Sequence, residues 1–400
     1  MKNILIAIRS IFKKGRHNVM KIVSLGIGLA VGLVLIAKVY FEQSYDDFYP
    51  DRDRVYQVWA KYQQNGGELK DYPQTSGGIA PTMQQQIPEI ETVTRYTSFG
   101  DWTFTMTDTK MKYSGRCIIA DSCFFDILPR PMLIGNAKEV LSTPMYVLIS
   151  SRIAKNIGGD VIGKNFTVDN SPGRTMTIGG VFEEVPENSH SRYDVIVSMA
   201  SAGRFMWEGS PTNMLGNDRY ISYVKLHKGV NPLALEEQVR TFVNSYFPPE
   251  EQQKVGLSID FSFHKLDNLH KELPQVKRMT WILSLLAFAL IFTAVMNYIL
   301  IVISSIVNRS KEVAVHKCYG ASENNIHGMM FGEALVHIVL SLILALLLIL
   351  AFRGTVEELL ATSLDSLLLS NGSLVLLGIC ILVFFVSGFM PGSLYARIPV

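Results

Sequence analysis

The chain has 400 residues, of which 48% are hydrophobic and 18% charged, and its formal net charge is +2. This balance fits a membrane protein carrying one sizeable soluble domain. It supplies no basic surplus of the kind nucleic-acid binding needs, so that class of partner is excluded.

From the N-terminus, Ile4, Leu5, Ile8, Ile11 and Phe12 recur at helical spacing opposite Lys2, Arg9, Lys13 and Lys14. Residues 1–18 therefore read as a basic amphipathic helix lying on the inner leaflet. Residues 22–37 carry no charge and are continued past Lys38 by Val39, Tyr40 and Phe41. The first transmembrane helix is placed at 19–41, with Lys38 near its end reaching the interface by snorkelling. Gly28 and Gly32, four apart in that helix, predict the close approach of another helix backbone. A charged, aromatic stretch follows, with no small-residue cleavage site before it, so the helix reads as a retained anchor rather than a signal peptide.

Residues 42–278 form the soluble part. β-branched and aromatic content predicts strands at 55–61, 90–98, 111–119, 145–150, 174–182, 194–198, 221–227 and 258–265. Helices are predicted at 81–86, 151–157 and 233–246, which makes the domain α+β. Gly158-Gly159 and Ser171-Pro172-Gly173 punctuate the middle third and suggest an inserted β-rich subdomain at about 130–205. Cys117 and Cys123 lie in this domain, and spacing leaves open either a disulfide or two free thiols.

Three local patterns invite chemistry and fall short of it. Residues 158–165, GGDVIGKN, follow the phosphate-loop spacing up to the last position, where Asn165 replaces the hydroxyl residue that holds Mg²⁺. The sequence after it reads as strand, not as the helix whose N-terminus binds phosphate. His264, Asp267 and His270 fit neither one helix face nor a zinc spacing. Asp46, Asp47, Asp51 and Asp53 mix with Arg52 and Arg54, without the glycine of a calcium loop. No nucleophile comes with a recognisable base, so the chain reads as non-catalytic and without cofactor or metal.

Residues 279–308 are uncharged and form the second transmembrane helix. A polar segment, 309–332, separates it from the third at 333–353, which carries His337. A short loop at 354–372 leads to the fourth helix at 373–392 and a tail at 393–400. Lys and Arg before residue 22 and in 309–332, against Glu357, Glu358 and Asp365 in the other loop, place both termini in the cytosol and 42–278 outside it. Within 309–332, Gly320 supplies a helix stop, Ser322 an N-cap and Glu323 an acidic first turn. A tether needs only a few polar residues, so this stiff elbow reads as a docking site for a cytosolic partner.

Here the chain resembles the MacB/FtsX-type ABC transporter permeases. Their pattern, R-x-K-E-hydrophobic-x-hydrophobic-x-K-x-x-G-A-S and then an acidic residue at the next membrane helix, stands as Arg309, Lys311, Glu312, Val313, Val315, Lys317, Gly320, Ala321, Ser322 and Glu333. SYDDFYPDRDRVYQV, the long stretch beginning FFDILPRPMLIGNAKEVL, GGVFEEVPENSHSRYDVIVS and MNYILIVISSIVNRSKE are similar to core and permease segments of the same family. The likeness covers nearly the whole chain.

The resemblance implies a multi-pass inner-membrane permease of four helices, with a large α+β domain in the periplasm between the first two. Its implied partners are a separate ABC ATPase, a second permease unit as homodimer or pseudo-dimer, a periplasmic adaptor or outer-membrane protein, and membrane lipids. ATP hydrolysis belongs to the ATPase, whose motion moves the periplasmic domain for efflux or extrusion. The membrane helices lack the row of ionisable groups that an ion path would show. Drug or peptide efflux, lipoprotein release and activation of cell-wall hydrolases all remain open as the task. Relatives are often tandems of two such units, so the chain reads as a single unit or half of a longer one. The alternative from another class is a membrane sensor with a periplasmic ligand-binding domain. A simple sensor needs one or two membrane helices and an attached output domain.

Overall fold

The computed structural model describes residues 18–169, 171–304, 315, 323–368 and 378–382. The chain divides into two compact units, Met1–Ser44 with Leu273–Val400, and Tyr45–Glu272.

Among its described residues the first unit holds three long helices, Asn18–Gln43, Pro274–Ser304 and Glu323–Ala351. Each is apolar and uninterrupted by an internal proline, and Pro274 occupies a first-turn position where its missing N–H costs nothing. At 1.5 Å per residue they extend about 39, 46 and 43 Å, more than the roughly 30 Å of a bilayer's hydrocarbon. In the third helix the apolar run is Ala334–Ala351, so its first three turns are additional to what a crossing needs. Residues 354–372, expected as a loop, contain two short helices, Arg353–Leu360 and Leu364–Leu368. Arg353 joins them by ion pairs to Glu357 and Asp365. Of the expected fourth membrane helix only residues 378–382 are described, and they are helical. The amphipathic segment 1–17 lies outside the described residues.

The second unit is built on eleven strands: β1 (Val55–Gln64), β2 (Lys70–Tyr72), β3 (Ile90–Met106), β4 (Lys112–Ala120), β5 (Met132–Ile134), β6 (Tyr146–Ser150), β7 (Asn165–Val168), β8 (Ser171–Phe182), β9 (Val195–Ser198), β10 (Ile221–Leu226) and β11 (Leu257–Lys265). Their order is β11-β1-β10-β3-β4-β9-β6-β8-β5, with β2 added to β1. β4 with β9 and β6 with β8 are parallel, and the other pairings are antiparallel.

β7 changes the topology, because it pairs with both β3 and β8. The pairings β3-β4-β9-β6-β8-β7-β3 thus close a six-stranded ring. Alternate residues of a strand face one side, and those facing inward are apolar: Trp102, Phe104 and Met106, then Cys117 and Ile119, Val147 and Ile149, Phe166 and Val168, Met176 and Ile178, Val195 and Val197. Outward-facing Ile118, Leu148 and Ile196 are buried instead with Phe124, Ile127, Val140 and Leu141 of the short helices Phe124–Ile127 and Ala137–Ser142. Residues 130–205, expected as a β-rich subdomain, supply β5 to β9, and the ring takes β3 and β4 as well.

On the other side of β3 the sheet is covered by helices Ile79–Gln86 and Glu236–Tyr246. Met83, Val239, Phe242 and Val243 pack there on Val58, Val93, Val224 and Phe261. Local caps fix the short helices. The Asn136 side chain accepts from the amides of Lys138 and Glu139, and Ser150 from that of Ile153. Gly158, at φ 75°, ends the helix Ser151–Ile157 in a conformation that only glycine adopts cheaply.

Candidate functional site

In the helical unit the candidate machinery starts with glycines. A Cβ built on Gly28 would lie 2.2 Å from the Ala294 Cβ, and one on Gly32 would lie 2.4 Å from Ile291 Cγ1. Both neighbours belong to the second long helix, so these positions set how closely the two backbones run. Gly26 faces the third helix, where its Cβ would meet Leu344 at 2.9 Å. Two residues turn a helix by about 200°, so Gly26 and Gly28 open opposite sides of the first helix, which runs between the other two. Ser341 of the third helix donates to the Ile22 carbonyl across this contact at 3.1 Å. Leu25, Leu29, Tyr298, Ile299 and Ile338 fill the shared core. A crevice of about 410 Å³ lies beside it, with Ile36, Val39, Ala287, Phe288 and Ile291 among its walls and Ser284 as its one polar side chain.

Lys38 does not follow the snorkelling expectation. Its Nζ lies 2.7 Å from Glu42 Oε1 and donates to Thr362 Oγ1 at 2.9 Å, and both charged side chains are under 10% exposed. A buried ammonium is tolerable when it is paired and hydrogen-bonded, and that outcome replaces the reach toward water. The Lys38–Glu42 spacing of four was the signal for it, since such residues are neighbours on a helix.

Of the proposed elbow, Arg309, Lys311, Glu312, Val313, Lys317, Gly320, Ala321 and Ser322 lie outside the described residues. Val315 is helical and half exposed. The third long helix, Glu323–Ala351, carries Glu333 within it.

In the second unit, Tyr45–Glu272, called the outer unit from here on after the side on which the sequence reading places it, the sequence patterns resolve into ordinary structure. Residues 158–164 form the turn between the helix Ser151–Ile157 and β7, and Val161 is buried in the ring core. Thr177 donates to the Asn165 side chain at 2.8 Å, and Lys164 stands 3.9 Å from Asp108. His264 stacks on Trp59 and His270 on Tyr45, so the two rings are held in separate aromatic contacts. Burial lowers the pKa of His264. The acidic run is drawn into ion pairs. Asp51 accepts from Lys225 at 2.6 Å and Arg54 at 3.0 Å, which holds its carboxyl below the usual range. Arg52 pairs with Asp47 and Asp267. Cys117 and Cys123 are free thiols. Cys117 points into the ring, and burial pushes both thiols up.

Two family comparisons divide the chain between residues 242 and 284, close to the boundary of the units at Leu273, and the first of them also takes in the first long helix. The model described as MacB-like periplasmic core domain matches residues 20–242, and that described as FtsX-like permease C-terminal matches residues 284–400. The chain belongs to the MacB/FtsX-type ABC transporter permeases. It is therefore a membrane protein with a periplasmic-core-type domain, in a family that is generally non-catalytic, works with a partner ATPase and usually acts as a dimer.

Among solved structures, a crystallised domain described as that of a permease protein from Porphyromonas gingivalis is 33% identical, with a TM-score of 0.50. The match covers 54% of this permease and 91% of that chain. Among curated proteins no match was found. Sequence reasoning missed two features of this permease, the Lys38–Glu42–Thr362 cluster and a polar network around Asp46. The second joins residues from four separate stretches, and no local pattern announces it.

Proposed function

We infer that this chain is the permease subunit through which a separate cytosolic ATPase drives a domain in the periplasm, extruding a periplasmic or membrane substrate. It sits in the inner membrane with four helices and both termini in the cytosol. The ATPase docks on residues 309–332, where Arg309, Lys311, Glu312, Val313, Val315, Lys317, Gly320, Ala321 and Ser322 build the elbow. Glu333 lies within the third helix, immediately before its apolar run Ala334–Ala351. Support comes above all from the joint match to a periplasmic core model and a permease model on one chain. The length of the third helix agrees, because Glu323–Ala351 exceeds the hydrocarbon thickness and leaves polar turns for a partner.

Complexes reconstituted with the ATPase test the reading. Glu312→Lys reverses a charge on the docking face, and Gly320→Val forces a β-branched residue into a stop that calls for positive φ. Both should weaken ATPase binding by roughly tenfold or more and abolish substrate-dependent activity, with membrane insertion and protease resistance of the outer unit unchanged. Gly320→Ala should be milder. Normal binding and activity in both severe variants would reduce the segment to a tether.

A further inference from the structure

Asp46 stands three residues beyond the first long helix, where the chain enters the outer unit. It is fully buried, with φ at 60°, a conformation that Asp tolerates better than most residues. Its carboxylate is surrounded by donors from one loop, the connection between β8 and β9. Ser189 Oγ donates at 3.0 Å and the His190 amide at 3.3 Å to Oδ1, while His190 Nδ1 donates at 2.7 Å to Oδ2. The Asp46 amide donates in turn to the Asn188 carbonyl at 2.9 Å.

The network continues inward. His190 Nε2 faces the hydroxyl of Tyr223 and, at 3.1 Å, that of Ser191. Ser191 Oγ is 2.7 Å from the Tyr96 hydroxyl. Tyr223 lies on β10 and Tyr96 on the neighbouring β3, with their rings stacked at 6.3 Å. Asp46, His190 and Ser191 stand in the bonding order of a hydrolase triad. Ser191 is only 4% exposed, however, and its oxygen is held by Tyr96, so it offers no nucleophile to a substrate.

We propose that Asp46 and His190 form a mechanical joint that ties the point of chain entry to β3 and β10 at the middle of the sheet. Displacement of the first helix is then passed to the outer unit as a body rather than lost in the connecting turn. Three properties suit that role. The joint is made of charge-assisted hydrogen bonds, buried at Asp46 and Ser189 and part-buried at His190, and bonds of this kind are strong. It fastens both backbone and side chain of one residue. It ends on two paired central strands instead of a loop. The proposal rests on the force-transmission reading above, and Asp46 and His190 are positioning residues within it.

The experiment uses the full permease with its ATPase in nanodiscs and a spin label at Lys155→Cys, an exposed position on the helix Ser151–Ile157. One label per permease copy yields an inter-copy distance with and without trapped nucleotide. Asp46→Asn keeps the shape and the tolerance of positive φ, His190→Gln shortens the chain of bonds, and Tyr223→Phe removes one hydroxyl. Each should cut the nucleotide-driven shift at least by half while ATP hydrolysis continues. Ser76→Ala is the control, since Ser76 is itself buried and the substitution breaks a part-buried network with Asp218 and Gly216 that does not involve Asp46. It should lower thermal stability comparably and keep the full shift. A full shift in all three joint variants, or an equal loss in the Ser76 variant, would overturn the joint. No shift in the unaltered permease would overturn force transmission itself, and the joint with it.

Discussion

Gly28 is the residue whose loss should be read most directly, because the obstruction is a single atom. The Ala294 Cβ would lie 2.2 Å away, and the next atoms are 3.5 Å or more distant. Gly28→Ala should therefore destabilise the helical unit by about 1–3 kcal/mol, the usual cost of overpacking. Gly28→Ala combined with Ala294→Gly should recover most of that loss in thermal unfolding in detergent. A double variant no better than the single one would show that the contact does not set the helix spacing. His264 gives a pH prediction. Burial holds its folded pKa below the ordinary histidine value of about 6.5, so the unfolded chain binds the proton more readily. Stability is then fully present above pH 6.5 and declines as pH falls through it toward the folded value. His264→Gln should flatten this part of the stability–pH curve, and an unchanged slope between pH 7 and 5 would refute the assignment. Gly28 and Gly32 could be singled out from sequence because helical spacing is local, and both face the second long helix. Asp46 was not, since its partners His190 and Tyr223 are about 140 and 180 residues away in the chain.

At the scale of elements, the ring depends on β7, a strand of four residues. Phe166 at its centre is fully buried and meets Phe104 of β3 at a ring distance of 4.8 Å. Phe166→Ala should cost about 3–5 kcal/mol in stability of the outer unit, the range for emptying a large core site. The loss should appear as a lower denaturant midpoint with near-UV signals of the ring aromatics weakened. A change under about 1 kcal/mol would mean that the ring is not a tightly packed core. Strands β1, β3, β4, β6, β8, β9, β10 and β11 were readable from β-branched and aromatic runs, although β3 runs eight residues past its expected end at Ser98. β2 and β5 have three residues each, too few to show an alternation. Ring closure was invisible because pairing partners, unlike strands, leave no periodic trace.

For the whole molecule, the charge bias of the loops predicts which side each part faces. In a background free of other cysteines, an impermeant thiol reagent applied to intact cells, with the outer membrane made permeable, should mark Lys155→Cys and spare Ser310→Cys. Labelling at 310 would reverse the proposed topology and remove the ATPase from the elbow. The three long apolar helices and the domain between the first two were readable at this scale, since apolar runs are sums that survive local error. The packing of the first helix between two others was not, because a glycine does not say which neighbour it admits. The sheet order has a further consequence, for synthesis. β1 is pinned between β10 and β11, with Tyr56 opposite both Val224 and Lys265. Its last partner is thus made about two hundred residues after it, just before the second long helix. On the proposed topology, the emerging chain must leave β1 with an open edge until almost the whole outer unit has been translocated, and such edges recruit foreign strands. Nascent chains halted before residue 257 should be cleaved readily within residues 55–64, whereas chains halted beyond residue 272 should resist, so export itself is the interval in which this protein is most exposed to aggregation and to proteases.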